Sequence, residues 1–141
     1  MAQPKPDSRS AIFPFMRYKD APAAIAWLGK AFGFTEHAVY PGPDGTIAHA
    51  ELALGPAIIM LGSMKDDNFG MKSPRDLGGV NQGLYVRVAD TDALYRRAKA
   101  VGAEIIRELA DTDYGSRDFM CRDPEGHLWS FGTYMPEAPK G

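Results

Sequence analysis

The chain has 141 residues, of which 45% are hydrophobic and 24% are charged, as is typical of one ordinary globular domain. A net charge of −2 gives no basis for binding nucleic acid or an anionic membrane, and no apolar run approaches the roughly 20 residues of a membrane span. Cys121 is the single cysteine, so an internal disulfide and a multi-cysteine metal cluster are excluded. We therefore predict a cytoplasmic protein without nucleic-acid or membrane partners.

Hydrophobic alternation and turn residues predict a β-α-β-β-β module over about residues 11–62. Its first strand leads into a helix that begins after Asp20, a good N-cap residue, and ends at Gly33. Two glycine-containing turns then separate the remaining strands. The predicted strands of this module lie at 12–18, 34–40, 46–54 and 57–62.

The second half of the chain repeats the first. Displacing the sequence by about seventy residues aligns Phe15 with Tyr85 and Arg17 with Arg87. A second β-α-β-β-β module is therefore predicted over about residues 81–134.

A polar segment at 63–80 is predicted to be a loop that links the modules. We expect one α+β domain over residues 1–141. In it, the two pseudo-symmetric modules form a cup-shaped half-barrel of mixed β-sheet with the helices outside.

Alternation along the strands assigns one face of each sheet to its helix and the opposite face to the lining of the cup. The lining combines aromatic, thioether, hydroxyl and guanidinium groups, which is the make-up of a small-molecule pocket. The alternative is that these residues pack on each other or on a second subunit, although arginine side chains are rarely buried in a closed core. The ligand-binding residues predicted on the strands are Phe13, Phe15, Arg17, Met60, Tyr85, Arg87 and Ser130.

Arg17 and Arg87 occupy matched positions of the two modules. Together they could hold a carboxylate, phosphate or sulfate of a ligand through charge-assisted hydrogen bonds. The alternative is that each arginine pairs with an acid at a helix start, such as Asp20 or Asp90.

Two further groups of polar residues are candidates for the site. His49 and Glu51 share one strand face, where they could act as an acid–base pair or form a polar contact at a sheet edge or dimer seam. Tyr114 and Arg117 flank a Gly-Ser turn, where they could line the rim of the cup. The alternative for this segment is a hairpin turn with an ion pair.

The paired modules resemble the vicinal oxygen chelate superfamily, which includes glyoxalase I, bleomycin-resistance proteins, extradiol dioxygenases and fosfomycin-resistance enzymes. The resemblance covers about residues 12–134 and is strongest for an uncharacterised glyoxalase-like branch. It implies the cup-shaped fold and, from the bleomycin-resistance proteins, a homodimer with sites at the seam. The motifs that carry it are Asp123-Pro124-Glu125-Gly126-His127 before the last strand, Arg17-Tyr18-Lys19-Asp20-Ala21, His49-Ala50-Glu51-Leu52 and Tyr114-Gly115-Ser116-Arg117-Asp118.

Metal-dependent members of that superfamily take their ligands from the opening and closing strand of each module. The matching positions here are Phe13, Met60, Gly83 and Ser130, none of which is a ligand for a hard or borderline divalent cation. We therefore expect no metal and no cofactor.

The predicted function is metal-free binding of a small, partly aromatic organic molecule that can carry an anionic group, by a homodimer. The first alternative is a glyoxalase-like lyase or isomerase, or a dioxygenase, with an atypical metal site or with His49 and Glu51 as an acid–base pair. The second is a regulatory or interaction module whose cup is filled by its own linking loop.

Overall fold

The computed structural model describes residues 10–137 and residue 139. The first module contains β1 (Phe15–Tyr18), α1 (Ala21–Phe32), β2 (Thr35–Pro41), a 3-10 turn (Pro43–Gly45), β3 (Ile47–Leu54) and β4 (Ala57–Ser63). After α2 (Pro74–Leu77), the second module contains β5 (Gly83–Arg87), α3 (Thr91–Ala100), β6 (Glu104–Asp111), β7 (Arg117–Arg122) and β8 (Leu128–Gly132). The α+β class and the two β-α-β-β-β modules are confirmed.

Each module forms one open four-stranded sheet, and the two sheets have the same strand order. Sheet 1 is ordered β1-β4-β3-β2, and sheet 2 is ordered β5-β8-β7-β6. In both sheets the first and last strands of the module pair in parallel, and the other neighbours pair antiparallel. The registers preserve the repeat, since Phe15 lies beside Met60 just as Tyr85 lies beside Ser130.

The two long helices begin at the predicted N-caps. The Asp20 carboxylate accepts a hydrogen bond of 3.1 Å from the backbone N–H of Ala23, and Asp90 accepts one of 3.0 Å from Ala93. These bonds satisfy backbone donors that the first turn of a helix leaves unpaired. Gly33 ends α1 with a φ of 88°, a left-handed conformation that favours glycine.

The two modules share one hydrophobic core. The ring of Phe32, in α1, lies 5.2 Å from that of Trp129 and 4.6 Å from that of Phe131, both in sheet 2. Arg97 of α3 donates from Nη2 to the carbonyl of Gly29, at 2.9 Å, near the end of α1. Helix α1 therefore contacts both modules, and the other face of each sheet, which we call its helix-free face, points away from the shared core.

The linking segment differs from the loop that the sequence predicts. Strand β4 extends to Ser63, and the short helix α2 lies within the segment, which ends where β5 begins at Gly83. Proline at the first turn and Gly78 directly after the last helical residue bound α2. Within the described part of the chain, every helix is too short or too polar to cross a membrane.

Tyr18 connects β1 to the turn before β8. Its side chain is fully buried, and its hydroxyl donates a hydrogen bond of 2.6 Å to the Asp123 carboxylate. Burial, followed by the negative charge of Asp123, raises the pKa of Tyr18 well above its ordinary value. The folded state therefore holds this proton more tightly than the unfolded state does. The resulting stability is fully present below about pH 10 and is lost as the pH rises through the folded pKa.

We expect Tyr18→Phe to lower the free energy of unfolding at pH 7 by about 1.5–3 kcal/mol, since it removes a hydrogen bond to a charged group. The variant should also show a shallower loss of stability above pH 10 than the unmodified protein. Urea denaturation at pH 7 and across the alkaline range measures both effects. Tyr40→Phe, on an exposed side chain, is the control, and an alkaline decline as steep in Tyr18→Phe as in the control would contradict the prediction.

Candidate functional site

The helix-free face of sheet 1 carries an open row of ligand-type side chains. Phe15, Met60 and Glu51 are neighbours across β1, β4 and β3. Phe15 is 59% exposed, and Phe13, just before β1, is 43% exposed. Met16, which points to the opposite side, is buried. Alternation therefore assigned the faces of β1 correctly, and the face predicted to bind a ligand is accessible.

Sheet 2 repeats this row on its own helix-free face. Tyr85, Ser130 and Met120 are neighbours across β5, β8 and β7. Tyr85 is 39% exposed, and its hydroxyl donates to the carbonyl of Tyr134. Arg87 is exposed next to this row, and its Nε donates to the carbonyl of Thr133 at 3.3 Å.

Within the described residues, no hydrogen bond, ion pair or ring contact joins the helix-free face of sheet 1 to that of sheet 2. Each face points away from the core that the modules share. The structure of one chain therefore does not bring Arg17 and Arg87 together on one ligand.

The linking segment covers Arg17. Its Nη1 lies 2.7 Å from Oδ2 of Asp67, and its Cζ lies 4.8 Å from the ring centroid of Phe69. The hydrogen bond from Arg17 lowers the pKa of the Asp67 carboxyl. Arg17 thus pairs with an acidic residue, as in the alternative to joint binding of a ligand anion by Arg17 and Arg87. That residue is Asp67 rather than Asp20.

A buried carboxylate on the helix-free face of sheet 2 was missed in the sequence. Asp118 is 5% exposed, and the hydroxyls of Ser116 and Tyr114 donate to it. It lies over Gly132, where an added Cβ would fall 1.9 Å from Asp118 Oδ1 and 2.9 Å from the Tyr85 hydroxyl oxygen. The signal available in the sequence was a glycine at a strand position that alternation assigns to the cup. This arrangement places the predicted rim residue Tyr114 on the same face as Tyr85.

His49 and Glu51 form a pair on the helix-free face of sheet 1. His49 Nε2 lies 2.9 Å from Glu51 Oε2, and both side chains are partly exposed. The ring of Tyr40 stacks beside His49, with 6.1 Å between the ring centroids. The structure therefore brings these two residues together next to Met60, and their role in acid–base chemistry stays a prediction.

Arg117 contacts α3 and therefore lies on the helix side of sheet 2. Its Nε is 2.7 Å from Asp92 Oδ1, and its Nη1 is 3.1 Å from Asp111 Oδ1. Hydrogen bonding to these carboxylates raises the pKa of Arg117 and lowers that of Asp92. The alternative prediction for this segment, a turn with an ion pair, describes the observed contacts.

The remaining candidate chemistry concerns metals and thiols. Within residues 10–137, no group of three or more His, Cys, Asp and Glu side chains could hold a metal ion. Cys121 is fully buried, and burial raises the pKa of its thiol to about 12. A thiol that stays protonated at neutral pH is a poor nucleophile and a poor metal ligand.

Comparison with known proteins places these modules in a family. A family profile described as Glyoxalase/Bleomycin resistance protein/Dioxygenase superfamily matches residues 12–131. The chain belongs to this superfamily. An uncharacterised protein of Mycobacterium bovis is 37% identical over 130 residues, which are 91% of this chain and 86% of that protein. An uncharacterised protein of Mycobacterium tuberculosis is also 37% identical over 130 residues, which are 91% of this chain and 76% of that protein.

Solved structures of other proteins have the same fold. TioX from Micromonospora sp. ML1 is 32% identical, with a TM-score of 0.70 over 89% of this chain and 99% of that chain. A mutant of FosX, a genomically encoded fosfomycin resistance protein from Listeria monocytogenes, was solved with Mn(II) and a dihydroxypropylphosphonic acid. It is 16% identical, with a TM-score of 0.62 over 87% of this chain and 88% of that chain, a likeness that concerns the fold alone.

Proposed function

We propose that this chain is a metal-free member of its superfamily that binds a small, partly aromatic molecule with an anionic group on its helix-free sheet faces. The observation that carries this proposal is the set of large apolar side chains left accessible on these faces, with Phe15 59% and Tyr85 39% exposed. Exposed apolar patches of this kind mark binding surfaces, and aromatic faces suit stacking on a flat ligand. The lone buried cysteine fits our proposal that the protein acts in the cytoplasm.

A homodimer would bring the two faces together. In one chain the helix-free faces point away from the shared core, so a cup lined by both modules requires a second copy. Sheet 1 of one protomer would then face sheet 2 of its partner, and the dimer would contain two such composite cups. This arrangement would place Phe15 and Arg17 opposite the partner's matched face and would cover aromatic surface that one chain leaves exposed.

The absence of metal in this proposal rests on the chemistry of the side chains. The positions that the resemblance to metal-dependent superfamily members assigns to ligands carry a phenyl ring at Phe13, a thioether at Met60 and a hydroxyl at Ser130. On the helix-free face of sheet 1, His49 and Glu51 offer two ligand atoms, and among the described residues they belong to no group of three or more His, Cys, Asp and Glu side chains that could hold a metal ion. Two ligands rarely hold a transition metal. Elemental analysis of protein purified without chelator tests this point, and a stoichiometric transition metal would contradict it.

An acid–base enzyme is the second candidate, because His49 Nε2 and Glu51 Oε2 are 2.9 Å apart on an accessible face. A carboxylate in this position can orient an imidazole as a general base. If this candidate is correct, the protein turns over a glyoxalase-type substrate, and His49→Ala abolishes that turnover. Binding without turnover would leave the pair as a polar contact of the cup or of the dimer seam.

The contact of Arg17 with the linking segment makes a specific prediction about ligand binding. Asp67 supplies a carboxylate and Phe69 an aromatic ring to Arg17, which are the same groups that an aromatic carboxylate would supply. A ligand anion that pairs with Arg17 through Nη1 therefore competes with Asp67. We expect Asp67→Asn to strengthen binding of 2-naphthoate about two- to fivefold, since it weakens the ion pair with Arg17 that competes with the ligand.

Isothermal titration calorimetry with 2-naphthoate measures this effect. Asp66→Asn is the matched control, because it removes the same charge from an exposed neighbouring residue. Arg17→Ala should weaken naphthoate binding in both backgrounds. An unchanged or weaker affinity in Asp67→Asn would show that the segment does not compete with the ligand.

A further inference from the structure

We propose that a cavity between the linking segment and sheet 2 is a binding site for a phosphate-class oxyanion. The cavity has a volume of about 250 Å³. It is separate from the aromatic rows described above and does not depend on the ligand proposed for them. Its lining residues are Pro74, Arg75, Gly78, Gly79, Arg122 and Gly126.

The charge of the lining is positive. Arg75 and Arg122 are its only charged residues, and they come from two different parts of the chain, the linking segment and β7. Both share one counter-ion outside the lining. Arg75 Nη2 lies 3.3 Å and Arg122 Nε lies 3.8 Å from Oε2 of Glu104. This cluster of two guanidinium groups and one shared carboxylate carries a net charge of +1, and the neighbouring acid Asp76 is paired with Lys19 at 3.2 Å.

Both arginines have unused hydrogen-bond donors. Nε of Arg75 donates to the carbonyl of Pro124 at 3.3 Å, which holds the guanidinium in place. Among the described residues, Nη1 of Arg75 and both Nη atoms of Arg122 have no hydrogen-bond or ion-pair partner. A planar guanidinium with free donors recognises an oxyanion through parallel hydrogen bonds.

The backbone leaves the cavity open. Three of the six lining residues are glycines. A Cβ added at Gly78 or Gly79 would meet no atom within 4 Å, so the space beside them is unfilled. A water molecule occupies about 30 Å³ of liquid, so the cavity has room for a tetrahedral anion and a small substituent. The chemistry therefore fits inorganic phosphate or a small phosphate monoester.

Titration with inorganic phosphate at constant ionic strength tests the proposal, with backbone amide NMR shifts as the readout. We expect saturable shifts centred on Gly78, Gly79 and Gly126. Arg75→Gln and Arg122→Gln should each weaken binding about tenfold, as expected for loss of a charge-assisted hydrogen-bonding group. Glu104→Gln should strengthen binding, because it removes the competing carboxylate and keeps both arginines. Glycerol 3-phosphate, tested in parallel, distinguishes a monoester site from a site for the free ion.

Arg96→Gln is the matched control, since Arg96 is an exposed arginine of α3 away from the cavity. Equal weakening by Arg96→Gln would overturn the proposal, because phosphate would then respond only to net charge. Shifts that do not saturate would also overturn it. A folded Glu104→Gln protein with unchanged or weaker phosphate affinity would show that the two arginines serve only to bind Glu104. None of these outcomes bears on naphthoate binding to the aromatic rows.

Discussion

Asp123→Ala is expected to lower the free energy of unfolding by about 3–5 kcal/mol, a large part of the total stability of an ordinary domain. The Asp123 side chain is 2% exposed. Its carboxylate accepts hydrogen bonds from the Tyr18 hydroxyl at 2.6 Å and from Trp129 Nε1 at 3.1 Å. It also accepts from the backbone N–H groups of Glu125 and His127, at 3.0 and 3.1 Å.

The size of this effect follows from what the substitution leaves behind. Each buried donor that loses its partner costs about 1–3 kcal/mol, and four donors depend on this one carboxylate. Part of that cost is recovered when water enters the turn, so the expected total is smaller than the sum. The same carboxylate also joins the modules, because Tyr18 lies in β1 and Trp129 lies in β8.

Urea denaturation followed by tryptophan fluorescence measures the change. Asp113→Ala is the control, because Asp113 is an exposed aspartate in a turn of the same module. Asp123→Asn should fall between the two variants, since an amide oxygen still accepts hydrogen bonds but carries no charge. A loss below about 1 kcal/mol in Asp123→Ala, the size of an ordinary surface effect, would show that the donors find other partners.

The sequence places Asp123 in a motif before the last strand but does not indicate its function as a junction. The Asp-Pro-Glu-Gly pattern is local, and local patterns report turns and faces. The partner Tyr18 lies in the other module, and the Glu125 carboxylate likewise accepts from the backbone N–H groups of Lys19 and Asp20, at 2.6 and 2.9 Å. Contacts between elements of different modules depend on tertiary packing. Hydrophobic periodicity carries no information about that packing.

In the candidate site, too, the sequence predicted the local features but not the contacts between distant segments. Alternation placed Phe15 and Tyr85 on accessible faces, because the side-chain direction of a strand has a period of two residues. The acid that pairs with Arg17 is Asp67 rather than Asp20 or Asp90, because the path of a linking segment follows no sequence period. Asp118 was missed because a lone acid in a strand gives no sign of its own burial, and the indirect signal, Gly132, lies on the neighbouring strand.

A mixed dimer of one Phe15→Ala protomer and one Tyr85→Ala protomer should contain one site that binds 2-naphthoate with the affinity of the unmodified protein. Each substitution alone is expected to weaken binding about tenfold, since it removes an aromatic contact and the apolar area buried with it. In a composite cup, Phe15 of one protomer and Tyr85 of its partner contact the same ligand. The mixed dimer then contains one cup with neither substitution and one cup with both.

Other arrangements predict different titration curves. If one chain formed its own cup, both sites of the mixed dimer would carry a single substitution, and every site would be about tenfold weaker. If the two faces bound separate ligands, calorimetry would count two naphthoate molecules per chain in the unmodified protein. Co-expression with two affinity tags isolates the mixed dimer, and each homodimeric variant serves as its control. A protein that stays monomeric in sedimentation experiments would contradict the composite cup directly, because Phe15 and Tyr85 would then remain on faces that point away from one shared core.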